Sequence, residues 1–172
     1  MKLLVTIVLL SINLVAQKTT SDLSPAHASA LKEYLSANKH LSFRSETILS
    51  DAYLSDMRTL FGKKFTPSYV VGDFNKDRIK DFAVLLIRDG RSEENEGIDT
   101  EEHSVDYPLR LAVFNGIKRG FRVAYTTDLM GPPAAFIAFD KQLYYGVFET
   151  DADTFILKPS GKTYVIKFED AP

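Results

Sequence analysis

Residues 70–87 read Val70-Val71-Gly72-Asp73-Phe74-Asn75-Lys76-Asp77-Arg78-Ile79-Lys80-Asp81-Phe82-Ala83-Val84-Leu85-Leu86-Ile87. Two apolar, β-rich runs enclose a polar stretch in which Asp73, Asn75, Asp77 and Asp81 all fall on odd positions. The run from 82 to 87 is continuously apolar and of strand length, the pattern of a central strand covered on both faces. Residues 68–71 form a shorter strand ahead of it. The stretch therefore predicts strand, loop, strand, and the rest of the chain takes its character from there.

Toward the C terminus, apolar runs recur with turn residues between them. Residues 109–114 and 121–126 flank Asn115-Gly116, a strong hairpin dipeptide in a loop that runs on to Gly120; 135–139 and 143–148 flank Asp140-Lys141; 154–158 and 163–168 flank Pro159-Ser160-Gly161. Toward the N terminus the period changes to that of a helix. Ser24-Pro25 supplies an N-cap and a proline at the first helical position, and Ala28, Leu31 and Leu35 continue a helix over about 25–38. Ser50 caps a second helix, with Asp51 at its positive end. Tyr53, Met57, Leu60 and Phe61 predict one buried face, and Gly62 stops the helix beside Lys63-Lys64. The expected fold is α+β: two N-terminal helices packed on a largely antiparallel, meander-like sheet of about seven to eight strands. The hairpins leave no room for the crossovers a parallel sheet needs.

The chain has 172 residues, no cysteine and a net charge of −2. Its first sixteen residues read as a secretory signal: Lys2 gives a positive start, 3–10 is apolar except for Thr6, and Ala16/Gln17 is a small-residue cleavage site. Ser11 and Asn13 interrupt the run below the ~20 apolar residues of a spanning helix. Residues 17–23 read as a flexible leader and 24–172 as one domain. A secreted or periplasmic location follows. Without cysteine, a disulfide scaffold is impossible, so burial must hold the domain together. No basic run with interleaved aromatics favours nucleic acid. The absence of Trp weakens a lectin reading. His27, His40 and His103 stand too far apart in sequence for a zinc pattern. No G-x-S-x-G elbow and no phosphate-cradling glycine loop is present.

Residues 89–106 have no structural period. They carry Asp89, Glu93, Glu94, Glu96, Asp99, Glu101, Glu102 and Asp106 against Arg91. Self-repulsion predicts a solvated loop.

The odd-spaced oxygens are the one candidate site. Calcium takes six to eight oxygens in flexible geometry. Asp73, Asn75 and Asp77 offer side-chain oxygens at positions 1, 3 and 5, Ile79 a backbone carbonyl at position 7, and Asp81 closes the loop at position 9. The side chain of Ile79 is then free to plug into the core. Residues 70–87 resemble the calcium loop of FG-GAP and VCBS-type repeats, D-x-N-x-D-G-x-x-D between strands. That resemblance implies calcium held by Asp73, Asn75, Asp77, the Ile79 carbonyl and Asp81. It covers about a tenth of the chain, and no second copy exists from which a many-bladed propeller could be built. An EF-hand would need Gly and Glu where Arg78 and Val84 stand. The repeat loops carry Gly where this chain has Lys76 and Arg78, and Lys76, Arg78 and Lys80 balance the charge of the three aspartates. A metal-free turn capped by the same side chains is the competing reading.

Together these features describe a secreted or periplasmic, non-enzymatic interaction or structural domain with a calcium-stapled loop, acting on a protein or cell-envelope component. Two alternatives remain. One is a hydrolase or hydrolase inhibitor that uses the acidic 89–106 loop; the other is a metal-free structural envelope protein.

Overall fold

A computed structural model describes residues 23–44, 51–88, 107–131, 135–147 and 154–168. The signal, most of the leader, Ser50 and the acidic 89–106 segment lie outside these residues. Two helices, α1 (Pro25–Ala37) and α2 (Asp51–Phe61), accompany nine strands: β1 (Leu41–Phe43), β2 (Tyr69–Gly72), β3 (Asp81–Arg88), β4 (Tyr107–Ile117), β5 (Gly120–Gly131), β6 (Ala135–Asp140), β7 (Gln142–Val147), β8 (Phe155–Ser160) and β9 (Thr163–Phe168).

The strands form two sheets, which corrects the expectation of one meander of seven to eight strands. Every described pairing is antiparallel. In the first sheet β3 is central, with β4 and then β5 on one side and β1 and β2 sharing its other side. The second sheet runs β6-β7-β8-β9. Alternation along β3 and β4 explains the layering. Ala83, Leu85, Leu109, Leu111 and Val113 face the second sheet and meet Ile137, Leu143, Tyr145, Leu157 and Tyr164. Phe82, Val84, Leu86, Ala112 and Phe114 face the other way, onto Leu31 of α1 and Leu23. Met57 of α2 packs on Phe136 and Ala138, whose side chains leave β6 on the side away from the inner core. The order of layers is helix, sheet, sheet, helix. A single sheet could not cover both faces of β3, and the sequence pattern alone did not say which strands would form the second.

α1 starts as expected, with the Ser24 hydroxyl accepting from the His27 N–H at 3.3 Å and Pro25 at the first position. α2 ends at Gly62, whose φ of +97° suits glycine. Its buried face differs from the expected one. Leu54 and Met57 are buried, whereas Leu60 and Phe61 are 68% and 45% exposed. Phe61 instead stacks on Phe65 beyond the helix end, with ring centroids 4.7 Å apart. The first C-terminal hairpin also differs. Asn115-Gly116 lies inside β4, paired with Arg122 and Phe121, and the turn is Lys118-Arg119. The reason lies in what Gly116 touches.

Candidate functional site

Residues 73–80 leave β2 and re-enter the sheet at β3, so the loop sits at one end of the sandwich. Its side chains fold back on its own backbone. Asp73 Oδ1 accepts from the Asp77 N–H and Asp73 Oδ2 from the Arg78 N–H, both at 3.0 Å. Asn75 Oδ1 accepts from the same Asp77 N–H at 3.0 Å, and Asp77 Oδ1 accepts from the Ile79 N–H at 2.8 Å. The last two are two-residue side-chain turns of the kind Asn and Asp favour. The amide of Asn75 donates to Asp77 Oδ2 at 3.0 Å.

This wrapping needs left-handed backbone at two places. Lys76 has φ +63° and Arg78 φ +71°. Each costs on the order of 1 kcal/mol or more for a residue with a Cβ. The bonds from Asp73, Asn75 and Asp77 hold both residues there. Lys76, Arg78 and Lys80 are all exposed.

Asp81 differs from the other three. It is fully buried, with Oδ2 accepting from the Phe74 N–H at 2.8 Å and the Asn75 N–H at 3.3 Å, while Oδ1 accepts from the Gly116 N–H at 2.8 Å. It therefore ties both ends of the loop to β4. Burial pushes its carboxyl above the usual aspartate range, although the three N–H donors pull the other way. Gly116 is required at this contact. A Cβ there would collide with the Lys80 carbonyl oxygen and lie 2.6 Å from Ile79 Cγ2. The hairpin dipeptide read from the sequence is thus the seat of the loop. Next to it, Asn115 is buried and accepts from the Tyr164 hydroxyl at 2.7 Å, which links the first sheet to β9. Burial, and then the charge of Asp81, push the Tyr164 phenol upward. Sequence reasoning missed Gly116, Asn115 and Tyr164.

Ile79 does not plug into the core. It covers Gly116 and remains 36% exposed. The base of the loop is fixed instead by Phe74, which is 4% exposed and packs on Phe139 with centroids 5.0 Å apart. Gly72 permits that packing, because a Cβ there would stand 2.5 Å from the Phe139 ring.

A cation can be tested against these donors. Asp73 Oδ1 and Asn75 Oδ1 share one N–H, so their oxygens stand together, and each carboxylate oxygen keeps a second lone-pair direction. Asp73, Asn75 and Asp77 are the side chains that fit, with the Ile79 carbonyl from the same loop. Asp81 has both oxygens occupied by backbone donors. Among the described residues, no group of three or more His, Asp or Glu side chains is arranged to hold a metal ion.

A separate open groove of about 1100 Å³ runs between the end of α2, β2 and β6. Its charged lining is Lys63, Lys64 and Asp140. Among the described residues its lining carries a single carboxylate, Asp140. No helix among the described residues is long and apolar enough to cross a membrane. Compared with family models, with curated proteins and with solved structures, the chain gives no match.

Proposed function

We propose that this chain is a secreted or periplasmic, non-enzymatic interaction domain whose 73–81 loop binds one calcium ion as a structural staple, in the manner of the FG-GAP and VCBS-type loops it resembles. The observation that carries the reading is the left-handed backbone at both Lys76 and Arg78. The resembling loops use glycine at these positions to turn alternate oxygens inward, and here the same turn is made at a cost in strain. Asp73, Asn75 and Asp77 supply side-chain oxygens, Ile79 a carbonyl, and water completes the shell. Asp81, whose two oxygens are held by the Phe74, Asn75 and Gly116 N–H groups, fixes the loop to β4 beneath the ion. The expected affinity is that of extracellular modules, ~10⁻⁴–10⁻³ M. The acidic 89–106 segment remains the basis of the hydrolase or inhibitor alternative.

A second reading is favoured by the backbone N–H partners already held by Asp73, Asn75 and Asp77. In that reading the loop is a self-capped, metal-free turn of a structural envelope protein. Thermal melts in calcium, in EGTA and in magnesium separate the two. At about 10 mM calcium, a site of this affinity stabilises the fold by roughly 1.4–2.7 kcal/mol. That is a rise of about 3–10 °C for a domain of this size. Asp77→Ala removes the rise, and its loss in EGTA, limited to the exposed bonds with the Ile79 N–H and the Asn75 amide, is smaller than its loss in calcium. Superimposable curves, or an Asp77→Ala loss of equal size in EGTA and calcium, would leave only the capped turn.

A further inference from the structure

Seen from outside, the end of the sandwich that carries this loop is basic. Lys76, Arg78 and Lys80 come from the loop. Lys118 and Arg119 form the β4–β5 turn, and Arg122 follows on β5. The contact of Gly116 with the Lys80 carbonyl brings the two segments side by side, and Arg122 pairs with Asn115 in the neighbouring register. All six cations are exposed, and among the described residues none is in an ion pair. Against these six cations the loop sets three carboxylates, of which Asp81 is buried in the core, Asp73 is half-buried on backbone N–H groups and Asp77 is exposed while accepting from the Ile79 N–H. A chain of net charge −2 thus presents a locally positive end.

Two aliphatic side chains project among these cations, Ile79 at 36% and Ile117 at 44% exposure. Each sits next to lysine in sequence. The aromatic rings nearby are withdrawn. Phe74 is buried, and Phe121 packs on Phe82 and His27 with centroids 4.9 and 4.8 Å away. Single-stranded nucleic acid is held by exposed rings on which bases stack. Exposed aliphatics ringed by lysine and arginine suit the boundary between headgroups and acyl chains.

We propose that this end of the molecule docks on an anionic lipid surface, with Lys76, Arg78, Lys80, Lys118, Arg119 and Arg122 on the headgroups and Ile79 and Ile117 at the acyl boundary. The proposal rests on the outward charge and not on calcium, so the assay is run in EGTA and the two readings fail separately. A basic residue near an anionic leaflet contributes about a five-fold gain in partition.

The test is co-sedimentation of protein purified from cells expressing the full chain. The vesicles are phosphatidylcholine with or without 30% phosphatidylglycerol. Binding is expected only with the anionic lipid, and it should weaken at least ten-fold between 50 and 300 mM salt. Lys118→Glu with Arg119→Glu should abolish it at an unchanged melting temperature, and Ile117→Ser should weaken it several-fold. Because these variants share the wild-type N terminus, their difference reports this surface alone. Equal binding to neutral vesicles, binding indifferent to the charge reversal, or no binding would overturn the proposal. Tighter binding to a 20-nucleotide oligothymidine than to the vesicles would also overturn it and assign the basic end to nucleic acid.

Discussion

Removing Asp81 should destabilise the fold more than removing any other polar side chain of the loop. The carboxylate is fully buried and accepts from three backbone N–H groups, two of them buried. Asp81→Ala leaves Phe74 N–H and Gly116 N–H without acceptors. A buried donor left unsatisfied costs about 1–3 kcal/mol. Two such donors cost about 2–6 kcal/mol. Part of this is returned, because the buried charge disappears with the side chain and burial already disfavours it. The net loss is about 2–4 kcal/mol. Asp81→Asn keeps one acceptor oxygen but turns an NH2 donor toward an N–H, so it should lose about 1–3 kcal/mol. The assay is urea unfolding in EGTA, which removes any contribution from calcium. With a slope of about 2 kcal/mol per molar urea, the alanine variant should lose roughly 1–2 M in midpoint at unchanged slope. A loss below about 0.5 kcal/mol for Asp81→Ala would refute the account of this residue as the anchor of the loop.

Gly116→Ala drives a methyl group into the Lys80 carbonyl. It should cost about 1–3 kcal/mol by the same urea assay, and a neutral outcome would mean the loop does not rest on β4. His27 offers a pH test. It is buried between Phe82 and Phe121, its Nδ1 lies 2.5 Å from the Tyr69 hydroxyl, and burial holds its pKa below the ordinary 6.5. Tyr69 is pushed up to about 12 and stays protonated. The unfolded chain therefore binds the histidine proton more tightly, so stability present above pH 6.5 falls as the pH drops below it. Wild type should lose up to about 1.4 kcal/mol per pH unit in that window. His27→Phe should flatten the slope there, and parallel profiles would exclude His27 as its source.

Much of the fold was legible because local chemistry and tertiary packing agreed. Ser24-Pro25 began a helix, Gly62 ended one, and the apolar run after Asp81 became a strand buried on both faces. Where they disagreed, packing prevailed. Asn115-Gly116 has the composition of a turn, yet the strand continues through it, because the missing side chain at 116 makes room for Lys80 and its N–H meets Asp81. Leu60 and Phe61 satisfy the helical period, but α2 is anchored at Leu54 and Met57, and Phe61 meets Phe136 only at the rim of an open groove, where it stays 45% exposed. Two sheets instead of one were beyond reach, since hairpin signals name neighbours in sequence and say nothing of a fold over the core. At the candidate site the spacing identified the loop and its outward cations. It did not separate Asp81 from Asp73 and Asp77, because burial is set by β4 and β9, more than thirty residues away. Nor did it show the basic end, whose halves are separate in sequence and meet only through β3 and β4.

The calcium staple is the central claim, and an amide-resolved NMR titration tests it most directly. Calcium added to the nitrogen-15-labelled protein should move the Asp77, Arg78 and Ile79 amides, whose protons lie on the Asp73, Asn75 and Asp77 oxygens. The Gly116 amide should follow through Asp81. These shifts should saturate in the millimolar range, with magnesium giving no equivalent change. A spectrum unmoved at 10 mM calcium, or one that shifts only outside residues 73–81 and 116, would contradict the account.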